Sequence, residues 1–309
     1  MEVETVDISV LEEIEAHAVQ IAREAGQILL DHFSKPIEVQ FKGEKGEDPV
    51  TTADLLSEEY LKTAIKEKFP QHGILSEEGG VLSKSDSPFV WVLDPLDGTT
   101  NFMNGLPLFA VSIGVLWKRQ PVVGSIYVPV SHQATAGVYH ACLCKGAYLN
   151  GERIGVATEP SGRPLAGNPS QLGSRFRLPG QRRREPREAR NLGSIALELA
   201  LTACGVFQYA LFGSPKLWDV AAGVLLVKEA GGLAFTRRTR GKNWLLLERF
   251  QPEQRNDREA LENLRGWSSP LVVGAPDITS KVVKDIRGPH APLSWLTALR
   301  RPRDQKSGE

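Results

Sequence analysis

The stretch "WVLDPLDGTTNF", residues 91 to 102, runs an apolar strand into two aspartates, Asp94 and Asp97, followed by Gly98 and Thr99. A carboxylate that directly follows "VWVL" is expected to be partly buried, and a buried charge needs a partner. Residues 85 to 117 contain no lysine or arginine to supply one. A hard divalent cation would, because carboxylates and backbone carbonyls are the oxygen ligands that suit Mg²⁺. Other acids occupy similar positions: Glu77 and Glu78 end the apolar run "GILSE", Asp54 follows "DPVTTA" at a helix start, and Asp219 opens the helix "LWDVAAG". Taken singly, Asp54 and Asp219 read equally as helix caps, Asp97-Gly98 as a turn dipeptide, and Glu77-Glu78 as a solvated strand end. Strand ends and helix starts are where loops converge, so the four places can meet. Gly98 lets backbone approach a ligand, and the amides of Gly98 and Thr99 suit an anion if a short helix begins there. Carboxylates for metal beside amides for phosphate describe a metal-assisted phosphate site. No GxxxxGK[ST] motif is present, which argues against a nucleoside triphosphatase.

The elements that must hold these residues are legible in the pattern. Leu11, Ile14, Ala18, Ile21, Ala25 and Ile28 recur at helical spacing, and a second helix is predicted from about Ala53 to Phe69. Between them, "FSKPIEVQFKG" reads as extended and "GEKGEDP" as an exposed turn. The loop 42 to 48, with Lys42 and Lys45, is either a cover for the site or an ordinary solvated turn. Strand candidates follow in succession: "GILSE", "FVWVLD", "FAVSIGVLW", "PVVGSIYVP", "TAGVYH" and "GAYLNG". This predicts a sheet made mostly of neighbouring hairpins. Helical signals return in "SIALELALTACG" and "PKLWDVAAGVLLVKEAGG", and "PLVVGAP" reads as a late strand. Helices, then meandering strands, then both again give the class α+β.

The chain has 309 residues, 41% hydrophobic and 24% charged, enough for a sizeable core. Thirty-seven basic residues balance thirty-seven acidic ones, so no global field recruits nucleic acid or an anionic membrane. The acidic, amphipathic start does not resemble a signal or transit peptide, and no 18-residue apolar run occurs, so the expected compartment is cytoplasmic. Cys142, Cys144 and Cys204 lack metal-type spacing and read as small buried hydrophobes. Cys142 and Cys144 are expected to share a strand face.

In order and approximate spacing, "DPVTTAD", "SEE", "WVLDPLDGTTNF", "GAYLNG", "GSIALELA" and "LWDVAAG" resemble the inositol monophosphatase-like family of Mg²⁺-dependent, Li⁺-sensitive phosphatases, over roughly residues 8 to 235. The resemblance implies a single-domain five-layer αβαβα sandwich spanning 1 to 309, usually a homodimer. Residues 236 to 266 form an insertion-like charged segment and 300 to 309 a polar tail. It further implies that Glu77, Asp94, Asp97, Asp219 and the carbonyl of Leu96 bind Mg²⁺, with Asp54 helping to hold a further ion, two or three per site. By the same resemblance Glu77, Thr99 and Asp54 orient or deprotonate the attacking water, and Asp97, Gly98, Thr99, Gly193, Ser194 and Asp219 contact the substrate. The implied reaction is hydrolysis of a small phosphate monoester, inositol 1-phosphate being the family default.

The sequence departs from that pattern at Phe212, where typical inositol monophosphatases place a glutamate that binds inositol hydroxyls. An aromatic residue there is similar to the 3′-phosphoadenosine 5′-phosphate phosphatases and could stack on a base, or could pack in the core or a dimer interface. Fructose 1,6-bisphosphate and histidinol phosphate are further candidate substrates. Arg182, Arg183, Arg184, Arg187 and Arg190 read as a solvated loop or as a reach toward a second phosphate. A non-catalytic phosphate-binding or regulatory descendant is the rival reading, and it sits poorly with the presence of all four metal-type acids.

Overall fold

The computed structural model describes residues 6–33, 39–42, 48–82, 87–157, 159, 164–167, 188–237, 243–251 and 260–286. Most of the loop 42 to 48 with Lys45, the arginines at 182, 183, 184 and 187, much of 236 to 266 and the tail from 300 lie outside these residues. Helix α1 (Ile8–Phe33) buries Leu11, Ile14, Ala18, Ile21, Ala25 and Leu29. Leu29 replaces the expected Ile28, which is half-buried, because a helix of 3.6 residues per turn drifts away from a strict 3-4 spacing over this length. Helix α2 (Thr52–Lys68) packs beside it. Both cover one face of an eight-stranded sheet.

That sheet contains β3 (Gly73–Ser76), β4 (Gly80–Leu82), β5 (Phe89–Asp97), β6 (Ala110–Trp117), β7 (Gln120–Val128), β8 (Gly137–Cys142), β9 (Gly146–Leu149) and β10 (Glu152–Ile154). Its spatial order is β10-β9-β8-β7-β6-β5-β3-β4. The hairpin meander is as expected from β5 to β10, but β3 pairs with β5 in parallel, Ser76 opposite Leu93. The chain crosses β3 to its outer edge in β4 before returning as β5. The parallel step matters, because it places Glu77, the residue after Ser76, level with Asp94. Strand β5 also runs further than expected. It continues through Pro95 to Asp97, which opposes Ala110, with a register shift between Asp94 and Asp97. Proline has no N–H for the ladder, so a bulge there lets the strand resume one step later.

A small hairpin, β1 (Val39–Lys42) with β2 (Asp48–Thr51), leads into α2. A second sheet comprises β11 (Leu165–Gly167), β12 (Glu188–Arg190), β13 (Phe207–Phe212), β14 (Leu233–Thr236), β15 (Leu245–Leu246) and β16 (Leu271–Gly274), in the order β12-β11-β13-β16-β14-β15. Helices α4 (Ile195–Ala203) and α5 (Leu217–Glu229) fill the space between the sheets. The five-residue α3 (Thr99–Met103) follows β5, the short α6 (Ala260–Arg265) precedes β16, and α7 (Pro276–Asp285) covers the far face of the second sheet. The layers are therefore α1/α2, first sheet, α4/α5, second sheet, α7, the αβαβα sandwich of an α+β fold.

Glycines let α5 approach the first sheet closely. A Cβ on Gly124 would stand 2.6 Å from the carbonyl oxygen of Ala222, and one on Gly114 would stand 2.6 Å from the Ala221 Cβ. Backbone cannot yield as a side-chain tip can, so this contact fixes the height of α5 and of Asp219 at its start. Cys142 is buried in β8, Cys204 is half-buried, and Cys144 is exposed in the following turn at φ 65°. Cys142 and Cys144 therefore do not share a strand face, because β8 ends at Cys142. Gly124→Ala is expected to cost about 1–3 kcal/mol by forcing α5 off the sheet. Urea denaturation with both proteins metal-free would show it as a lowered midpoint at unchanged slope.

Candidate active site

Asp94 is 2% exposed and its pKa is held well above the carboxylate range, first by burial and then by the charges of Glu77, Asp97, Asp219 and Asp54. The acids that the sequence placed on four separate segments therefore come within electrostatic reach of Asp94 near the end of the first sheet. Asp94 accepts a hydrogen bond from the Leu96 N–H at 3.1 Å. Asp97, half-buried, has its pKa pushed up to about 6 by burial, against the lowering effect of hydrogen bonds from Ser194, Ala196 and Ile195. Asp219 is raised well above its ordinary value by burial and by the charge of Asp97. Asp54 is raised by burial, offset by Thr51 and Thr99.

Each of three acids is oriented by a helix start. Asp54 takes the Thr51 N–H at 2.8 Å in a reciprocal capping box at α2. Asp97 takes the Ala196 N–H at 2.5 Å and the Ser194 hydroxyl at 2.7 Å, at the start of α4. Asp219 takes the Lys216 N–H at 2.7 Å at the start of α5. Such bonds lock rotamers, and the positive ends of three helix dipoles moderate the crowd of negative charge.

Thr99 joins this cluster. Its hydroxyl lies 3.0 Å from the Leu96 carbonyl and 3.4 Å from Asp54 Oδ1. Gly98 has φ 96°, and a Cβ there would lie 2.9 Å from the Leu108 carbonyl oxygen, so both conformation and space demand glycine. Glu77 follows β3, with its N–H on the Leu93 carbonyl at 3.2 Å. Gly193 has φ 74°, and a Cβ there would meet the Asn101 side chain at 2.9 Å. Ser194 is 1% exposed, its hydroxyl committed between Asp97 and the Leu197 N–H. Phe212 is 2% exposed and belongs to the core between the sheets, so its ring is enclosed by protein and offers no face to a base.

Three further residues tie the site together and were not among the candidates the sequence pointed to. Asn101 donates to the carbonyls of Leu108 and Leu192 at 2.6 and 2.7 Å, tying α3 to the loop before α4. Glu58, one turn after Asp54 on α2, accepts the Gly79 N–H at 2.7 Å, the Ser76 hydroxyl and the Lys62 ammonium at 2.9 Å. Glu198 accepts the Leu192 N–H at 2.7 Å and has its pKa pushed up to about 7 by burial. Helical spacing could have flagged Glu58; the other two depend on tertiary contacts. Arg190 pairs with Glu188 at 2.6 Å, beside it on exposed β12.

As placed, no three Asp, Glu, His or Cys side chains among the described residues close around a single ion position. The chemistry of the cluster still fits a divalent cation, since mutually repelling, buried carboxylates gain most when positive charge is added among them. Among the described residues no helix is long and apolar enough to cross a membrane.

The protein-family model for the inositol monophosphatase family matches residues 10–265. Nus factor SuhB of Escherichia coli (strain K12) is 36% identical over 239 residues, covering 74% of this chain and 86% of that protein. The fructose-1,6-bisphosphatase/inositol-1-monophosphatase of Aquifex aeolicus is 35% identical over 224 residues, covering 67% of this chain and 80% of that protein. Among solved structures, the extragenic suppressor protein suhB from Bartonella henselae superposes with a TM-score of 0.67 at 26% identity, covering 88% of this chain and 98% of that chain.

Like charges gathered without a counter-ion are destabilising. A carboxyl whose folded pKa exceeds its unfolded value favours folding below the unfolded pKa, and that contribution is lost as pH rises through the folded value. In metal-free protein, Asp94→Asn is therefore expected to raise stability at pH 8 by about 1 kcal/mol, roughly 2 °C. The advantage should shrink as pH falls and the wild-type carboxyl takes up its proton. Thermal melts in chelator from pH 8 to 5 check this, and a gap that widens on acidification contradicts the arrangement.

Proposed function

Because the chain belongs to the inositol monophosphatase family, we propose that it is a Mg²⁺-dependent phosphatase that hydrolyses a small phosphate monoester, by default inositol 1-phosphate. The observation that carries this reading is the burial of Asp94 among Glu77, Asp97, Asp219 and Asp54. Two or three Mg²⁺ would be held by Glu77, Asp94, Asp97, Asp219, the Leu96 carbonyl and Asp54. Bound there, Mg²⁺ supplies charge neutralisation for the phosphate and the leaving alkoxide, and lowers the pKa of water.

The chain's own residues then have definable tasks. Thr51 turns Asp54 so that Oδ1 faces the Thr99 hydroxyl. A proton leaving water can pass to the Thr99 oxygen as its own hydroxyl proton moves to Asp54, whose burial raises its affinity for that proton. Glu77, at the end of the neighbouring parallel strand, orients the water. Gly98 keeps backbone amides open to the phosphate, having no side chain to intervene. Ser194 acts through Asp97, which it holds in place, and Gly193 sets the turn that brings it there.

Phe212, enclosed in the core, supplies no platform for an adenine ring. That favours inositol 1-phosphate over 3′-phosphoadenosine 5′-phosphate. The Aquifex relative's name adds fructose 1,6-bisphosphate as a second candidate, with histidinol phosphate a third. The rival regulatory reading draws on the relative named as a Nus factor, but a chain selected only to bind a partner has no need of five clustered carboxylates that weaken its fold. The proposal includes a homodimer of one phosphatase domain per chain, cytoplasmic and without nucleic acid.

Phosphate release from these four substrates, with and without Mg²⁺ and Li⁺, tests the proposal. Turnover should require Mg²⁺, be inhibited by Li⁺ and be greatest on inositol 1-phosphate. Asp94→Asn should lower Mg²⁺-dependent turnover by at least ~100-fold; a variant as active as the parent would refute the assigned site.

A further inference from the structure

The charged segment 236 to 266 has no role in the reading above, yet its last helix reaches the site. Arg265 ends α6, and its Nη2 donates to the Glu77 carbonyl oxygen at 3.1 Å. The same guanidinium lies 6.0 Å from the centre of the Trp218 indole, the residue before Asp219. Its Nη1 rests over Gly80, where a Cβ would stand 2.4 Å away, so the turn leaves room for it. The base of this side chain is fixed: Leu264 and Trp267 are buried at 2% and 4%, and Trp267 packs edge-on against Phe250 at 5.0 Å.

One side chain thus spans two elements that each present an acid to the cluster. The turn carrying Glu77 is also held by Glu58, which accepts the Gly79 N–H, and by the Glu77 N–H on the Leu93 carbonyl. A guanidinium is suited to this bridge because its plane can lie over an aromatic ring while its edge donates to a carbonyl.

We propose that Arg265 is a positioning residue that sets the spacing between Glu77 and Asp219 and thereby tunes Mg²⁺ affinity. This rests on the reading that those two acids hold Mg²⁺. It assigns to the charged segment a part in the site, and makes Arg265 a residue that acts on metal through its neighbours rather than by touching substrate.

The test is calorimetric titration of Mg²⁺ into the full-length protein and its Arg265→Met and Arg265→Lys variants, with melts in chelator as the control for folding. Arg265→Met should weaken Mg²⁺ binding about tenfold, within the range for groups that orient metal ligands, while the metal-free melting temperature stays unchanged. Arg265→Lys, keeping charge and a donor but not the flat fork, should weaken it roughly threefold, and decides the matter if Arg265→Met does not fold. Dissociation constants equal to wild type would overturn the inference alone. So would a raised KM for inositol 1-phosphate at unchanged Mg²⁺ affinity, which would make Arg265 a substrate contact. A wild-type protein that takes up no Mg²⁺ would remove the inference together with the reading beneath it.

Discussion

Mutual repulsion among buried carboxylates is the constraint around which this molecule is arranged. Asp94 lies at the centre, its proton affinity raised by burial and by four acidic neighbours. In an ordinary core such a group would be replaced or paired with a base. Here it is surrounded by more acids. The fold holds them by aiming three helix N-termini at the cluster, those of α2, α4 and α5, each donating backbone N–H to a different aspartate. A helix start offers partial positive charge without a side chain that would compete for the cavity.

That arrangement explains the layering. Three of the acids come from the parallel neighbours β3 and β5: Ser76 at the end of β3 pairs with Leu93, which sets Glu77 level with Asp94, and Asp97 follows at the end of β5. The helices between the sheets must begin at that same end, which requires α5 to lie close against the first sheet. Gly114 and Gly124 make the approach possible where any larger residue would push Ala221 and Ala222 away. Packing a few ångströms deep in the sandwich thus decides where Asp219 stands.

Outside the acids, a ring of neutral and charged groups fixes loops rather than meeting solvent. Ser194 and Asn101 join α3, α4 and the preceding loop, and Glu58 fastens the turn after β3. Their contacts are made to backbone as often as to side chains, so they hold the chain's path as well as its rotamers. Stability and function pull in opposite directions at this place: the same clustering that would weaken the metal-free fold creates a strong demand for cations.

The sequence by itself determined the class of fold, the elements that bear Asp54, Asp94 and Asp219, and the demand of Gly98 for backbone freedom, because these rest on local pattern, capping and turn chemistry. It did not determine that β3 runs parallel to β5, since a short strand's partner is chosen by contacts distant along the chain. Nor did it show that β5 resumes at Asp97 beyond Pro95, for a bulge is settled by what the neighbouring strand can pair with. Phe212, Ser194 and Arg265 divide along the same line. Residue type allows an aromatic ring to stack or to pack, a hydroxyl to bind substrate or to cap, and an arginine in a charged run to face water. Only the tertiary structure decided each case, by enclosing Phe212 between two sheets, turning Ser194 onto Asp97, and carrying Arg265 across to Glu77, because burial and long-range hydrogen bonding are properties of the assembled layers and not of any local stretch.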